Sequence, residues 1–143
     1  MFGFNHGIKE YSRISVETGV LAASPLKLIV MLYDGAIKSC RQSVVHISNK
    51  DISNKNTSIS NAIMIIQNGL LLSLNKEAGG DIAKSLADLY LYMVNRLYMA
   101  NIKNQTAPVE EVIQLLVDLK ASWEALEVES AKKSINIPEQ AFI

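Results

Sequence analysis

The 143-residue sequence has one cysteine, Cys40. One thiol cannot close an internal disulfide, so no bridge staples this fold, and Cys40 reads as a small buried apolar residue. Glycine is sparse at seven and proline sparser at three, which suits a helical chain. There is no excess charge of either sign: 14 Lys and Arg balance 14 Asp and Glu. Such a chain has no broad positive field to gather phosphate, which argues against nucleic acid as a partner. Long apolar runs are missing as well. The stretches 28–33 and 64–72 are too short or too broken for a bilayer, which needs about 20 residues, so no membrane insertion is expected. The first residues lack a basic region followed by an apolar run, so no secretory signal is read there and a cytoplasmic location is the default.

The residues of catalysis are also scarce. There are two histidines, His6 and His46, and neither follows a glutamate by three, the pairing used by carboxylate-bridged metal sites in helical bundles. Cys40 and His46 are six apart and do not share a helix face. Gly79-Gly80 is not followed by the Lys-Ser or Lys-Thr of a phosphate loop, and no His-Glu-x-x-His occurs. The reading is a protein with no enzyme activity, no cofactor and no metal.

What is present is helical periodicity. The length suits one domain, residues 1–143. Residues 1–23 form a short cap segment of mixed character, in which Ile8 and Tyr11 are three apart and share a face of any helical turn. Ser24-Pro25 is a helix start: serine accepts from a free amide, and proline at the first position loses a donor that had no partner. Ile29, Tyr33, Ala36, Cys40, Val44 and Ile47 follow at spacings of three and four. Gly35 interrupts that helix, either as a close crossing or as a neutral position. Residues 49–58 are polar and read as a loop. A second helix is expected over 58–74, with Ile59, Ile63, Ile66 and Leu70 as its core stripe. After a break at 75–80, a third runs to about 104, opened by Gly79-Gly80 and capped by Asp81. Its stripe is read as Ile82, Leu86, Leu89, Met93, Leu97 and Ala100. Thr106 and Pro108 start a fourth, whose Val109, Val112, Leu116, Leu119, Trp123 and Leu126 keep the 3.5-residue period of near-parallel packing. The residues 127–143 read as a polar tail, mobile or only partly helical. The expected fold is all-α, an antiparallel up-down four-helix bundle over 24–126 with a short N-terminal cap segment.

The middle helices carry more apolar surface than one core contact uses. Met64, Ile65, Leu71 and Leu72 lie off the second stripe, and Tyr90, Leu91, Tyr92, Val94, Tyr98 and Met99 lie off the third. An uncovered groove of that kind invites a partner, with self-association as a homodimer the plainest alternative. Arg96 stands near the third core stripe and needs a partner, with Asp34, Asp88 and Glu124 as candidates, or else reaches out to the rim.

One combination of motifs is specific. Tyr11 with Val16-Glu17-Thr18 precedes Ala23-Ser24-Pro25. A block runs from Leu26 through Met31-Leu32-Tyr33-Asp34-Gly35-Ala36. A second runs from Gly79-Gly80 through Leu89-Tyr90-Leu91-Tyr92-Met93, followed by Arg96-Leu97, Ala100-Asn101 and Trp123. Over residues 8–126 the chain resembles the flagellin-specific export chaperones of bacterial flagellar assembly, the FliS type. The resemblance implies a cytoplasmic four-helix bundle that binds the disordered C-terminal segment of flagellin and prevents premature polymerisation. It implies delivery to the flagellar type III export apparatus. It also implies an amino-terminal segment that covers part of the binding surface, matched here by Ile8 and Tyr11. Combined with the surplus apolar positions, the partner-binding candidates are Ile8, Tyr11, Ile65, Leu72, Tyr90, Val94, Tyr98 and Asn101.

Overall fold

The computed structural model describes residues 24–132. Four helices follow one another: α1 (Pro25–Ser48), α2 (Ile52–Met64), α3 (Lys76–Lys103) and α4 (Ala107–Lys132). A π-helical segment, Ile65–Leu71, continues α2 without a break. The four are packed as an all-α, antiparallel bundle. Successive contacts show the direction: Gly35 meets Ile65 and Leu32 meets Gly69, while Ser39 Oγ accepts from Asn61 further along. Partners on α1 rise in number as partners on α2 and the π segment fall.

The helix ends follow from local chemistry. Ser24 Oγ accepts from the Lys27 amide, with Pro25 in the first turn, as the sequence suggests. The predicted polar loop at 49–58 is much shorter. Asp51 caps α2 by accepting from the Asn54 amide at 3.2 Å, and residues 52–58 of the expected loop are helical. Asn and Ser in a first turn look like a loop in sequence because they favour caps and turns. The third helix starts earlier too. Asn75, not Asp81, is its cap, accepting from the Ala78 amide. One turn later Gly80 leaves helical geometry at φ 54°, ψ −129°, a conformation open to glycine, and the helix resumes after this kink. At the other end Asn104 closes α3 in the left-handed region. The buried Lys55 caps α3 from α2: its Nζ donates to Asn101 O at 3.0 Å and to Asn104 Oδ1 at 2.5 Å. The helix dipole favours a cation at that end. In α4 the helix runs six residues beyond the expected limit, to Lys132.

Ile29, Tyr33, Ala36 and Cys40 of α1 are buried, as are Ile59, Ile63, Ile66 and Leu70 after it and Val109, Val112, Leu116 and Trp123 of α4. In α3 the buried face is rotated from the expected one. Ala83, Ala87, Tyr90, Met93, Val94, Leu97 and Ala100 face inward, Leu86 and Leu89 are at the edge, and Ile82 is exposed. At its N-terminal half the inward residues are the small Ala83 and Ala87. The centre of the core is polar as well as apolar. Trp123 Nε1 donates to the Tyr33 hydroxyl at 3.0 Å, and the Tyr33 and Tyr90 hydroxyls share a bond of 2.5 Å. One oxygen thus ties α1, α3 and α4.

Candidate functional groove

The seam between the π segment and the N-terminal half of α3 does not close. Leu71, Leu72 and Leu74 form one wall, and Ala87 and Leu91 the other, around a groove of 860 Å³. Lys76, Glu77, Lys84 and Asp88 stand along the same groove, so its apolar floor has a rim with charges of both signs. Two further concavities differ in chemistry. One, between α1 and α2, is lined by amides and hydroxyls such as Gln42, Asn54, Asn56, Ser60 and Asn61, with His46 at its edge. The other, between α1 and α4, is crossed by the ion pair of Lys120 Nζ with Asp34 Oδ1 at 2.6 Å, which raises the lysine's pKa.

The groove owes its form to the packing behind it. Gly69 lies so close to Leu32 that a Cβ there would come within 2.9 Å of Leu32 Cδ2. Gly35 is likewise a close crossing, with Ile65 Cδ1 3.3 Å from where its Cβ would be. The π segment is drawn onto α1 by this exchange of side chain and glycine. Its Leu72 end is left facing α3 across open space. Helical segments with the wider π turn are rare and recur at functional sites.

Beyond the groove, α3 keeps an exposed apolar surface: Leu91, Tyr92, Tyr98, Met99 and Ile102, with Ile102 75% exposed. On its other flank α3 is clipped to α4. Tyr92 Oη donates to Glu111 Oε2 and Arg96 Nε to Glu111 Oε1, both at 2.7 Å. Accepting from Tyr92 and then from Arg96 lowers the Glu111 pKa, and the same bond raises that of Tyr92. Glu111 is therefore the partner of Arg96, in place of Asp34, Asp88 or Glu124. Asp34 and Glu124 both face Lys120 instead.

The sequence candidates divide. Ile8 and Tyr11 lie outside the described residues. Leu72 is on the groove wall, Tyr98 is exposed on α3, and Ile65 is half-buried against Gly35. Tyr90 and Val94 are corrections. Both are in the core, Tyr90 bonded to Tyr33, and neither offers surface to a partner. Asn101 is half-buried near the Lys55 cap, and its Oδ1 is shielded without a hydrogen-bond donor. Leu71, Leu74, Ala87 and Leu91 were absent from the candidates. Leu71 and Leu91 stood among the surplus apolar positions, but only the packing of the π segment against α3 shows that they line one groove.

The described residues hold no arrangement suited to covalent chemistry. Burial pushes the Cys40 thiol up to about 12, the reverse of a reactive thiolate. Among the described residues no group of three His, Cys, Asp or Glu could hold a metal ion, and no helix is long and apolar enough to cross a membrane. An open apolar groove with a charged rim suits the apolar face of a helical or extended chain.

Comparison with known proteins agrees. The profile of the family described as "Flagellar protein FliS" matches residues 7–130. The chain is 42% identical over 120 residues to the flagellar secretion chaperone FliS of Salmonella typhimurium, covering 84% of this chain and 89% of that one. It is 37% identical over 117 residues to the protein of that name from Escherichia coli, covering 82% and 86%. To that from Bacillus subtilis it is 36% identical over 113 residues, covering 79% and 80%. A match of this extent, on a helical bundle with an uncovered apolar groove, means that the chain belongs to the FliS family of flagellar secretion chaperones, which are not enzymes.

Proposed function

We propose that this flagellar export chaperone binds the disordered C-terminal segment of flagellin in the cytoplasm. It keeps that segment from polymerising and hands it to the flagellar type III export apparatus. The observation that carries the reading is the groove lined by Leu72 and Leu91, both of them exposed. A segment that forms helix in a filament presents apolar anchors at spacings of three and four, and a groove of this kind receives them. Each anchor that becomes fully buried contributes about 1.5–3 kcal/mol. Ordering the client offsets part of that, so the complex holds without becoming irreversible. Release then needs no covalent step and no nucleotide.

The test is calorimetric titration of the chaperone with intact flagellin and with flagellin lacking its C-terminal segment. Binding is expected only with the intact chain. Equal affinity for the truncated chain overturns the reading. The resemblance also assigns Ile8 and Tyr11 to a cover over this surface. Replacing both with alanine is expected to tighten client binding, and a sharp fall in affinity would make them part of the contact instead.

A further inference from the structure

The two walls of the groove differ in charge. Leu71, Leu72 and Leu74 give their wall none, so all four charges of the rim, Lys76, Glu77, Lys84 and Asp88, stand on the α3 wall. Elsewhere the seams of the bundle pair their charges between helices: Arg96 of α3 meets Glu111 of α4, and Lys120 of α4 meets Asp34 of α1. Among the described residues Lys84 and Asp88 find no such counterpart, because the other wall offers only leucine. On the α3 wheel, at about 100° per residue, Ala87, Leu91, Lys84 and Asp88 follow one another through about 100°. Ala87 is buried, while Leu91, Lys84 and Asp88 are exposed. The wall thus passes from an apolar floor to a charged lip, with the two charges one turn apart along it. In a helix–helix seam the charges that flank the apolar stripe set partner choice and orientation. The α3 wall has the form of half of such a seam.

We propose that Lys84 and Asp88 select what enters the groove by charge. The occupant is an amphipathic helical segment with an acid and a base four residues apart on the edge beside its apolar stripe. The acid lies against Lys84 and the base against Asp88. This deepens the client reading proposed above and rests on it for the groove being the seat of a helix. Within the segment's own helix, an acid four residues ahead of a base is the more stable order. That order sets the segment parallel to α3 and antiparallel to the π segment. Lys76 and Glu77 are adjacent and opposite in sign, so they add no field of one sign where α3 begins. Exposed pairs are weak, so the lip discriminates among segments while the leucines hold them. A segment with the two charges exchanged loses two attractions and meets two repulsions.

Two synthetic peptides, titrated with the full chain by fluorescence anisotropy, test the selection. Both carry the same leucine stripe at spacings of three and four. One has on its edge a glutamate followed four residues later by a lysine; the other has the two exchanged. The full chain should bind the glutamate-first peptide about tenfold more tightly. A chain with both Lys84→Glu and Asp88→Lys should invert that preference by a similar factor. Both positions are exposed, and circular dichroism checks that the helices persist. Salt at about 1 M, where the Debye length is about 3 Å, should remove most of the preference and leave the binding. Equal affinity of the full chain for the two peptides overturns the proposal, and so does a preference that the double substitution leaves in place. Failure to bind either peptide overturns it as well. A preference for the lysine-first peptide that the substitutions invert supports the selection and overturns the parallel direction. The flagellin C-terminal segment, titrated alongside, separates this inference from the client reading. If the peptides are told apart and the segment does not bind, the client reading falls and the selection stands. If the segment binds and the peptides are not told apart, the client reading stands and the selection falls.

Discussion

Tyr33 places one hydroxyl where three helices meet. Trp123 Nε1 can only donate, so the Tyr33 oxygen accepts from it, and the Tyr33 and Tyr90 hydroxyls satisfy each other. Tyr33→Phe removes the acceptor of one buried group and the partner of another. Each stranded group costs about 1–3 kcal/mol, so a loss at least of that size is expected in urea unfolding followed by the fluorescence of Trp123. Alkaline pH acts on the same core. Burial raises Tyr33 from 10.0 and Cys40 from 9.0, each to about 12. The unfolded chain releases those protons first, so it binds fewer than the folded chain in this window, and stability falls as pH rises. Stability should hold below about pH 9 and decline from there toward pH 12. A thiol reagent at pH 8 should leave Cys40 untouched until the chain unfolds. A native chain that reacts at once would show the core to be open.

At the scale of the helices, the two glycines of the α1 crossing are not equivalent. Gly69 faces Leu32, which is packed in the core at 2% exposure and has little room to yield. Gly69→Ala should cost about 1–3 kcal/mol by overpacking. At Gly35 the obstacle is the tip of half-buried Ile65, and alanine gains about 0.8–1 kcal/mol of helix propensity, so Gly35→Ala should be close to neutral. Thermal unfolding of the two variants separates them. Periodicity made four helices legible in the sequence, and the stripes of α1, of Ile59 to Leu70 and of α4 were readable because their inward positions are large and apolar. The α3 stripe was not. Ala83 and Ala87 line its inner face and give a weak hydrophobic signal, while Ile82 looks like core and is exposed. The π segment left no mark in the periodicity either, since its buried Ile66 and Leu70 also fit an α-helical stripe. Arg96 found Glu111 because the α3–α4 register brings them together, and register is a property of packing.

Across the whole molecule, apolar cover is uneven. α1 packs between α2 and α4 and buries Leu28, Leu32 and Ile37 besides its main stripe, whereas α3 leaves one flank open at the groove and its outer face bare. The surplus foreseen on the middle helices is thus real in kind but smaller in extent, because Tyr90 and Val94 went to the core. The groove proposed above as the client's seat can be tested by single substitutions. Leu72 borders it. Leu72→Asp puts a carboxylate where a client's apolar anchor would sit, at a residue already 36% exposed. It should weaken binding of the flagellin segment by more than about tenfold and leave the thermal midpoint within a few degrees. Val94→Asp, by contrast, buries the charge in the core and should unfold the chain. If Leu72→Asp binds the segment as tightly as the parent chain, the client lies elsewhere on the bundle and the groove between the π segment and α3 is not its seat.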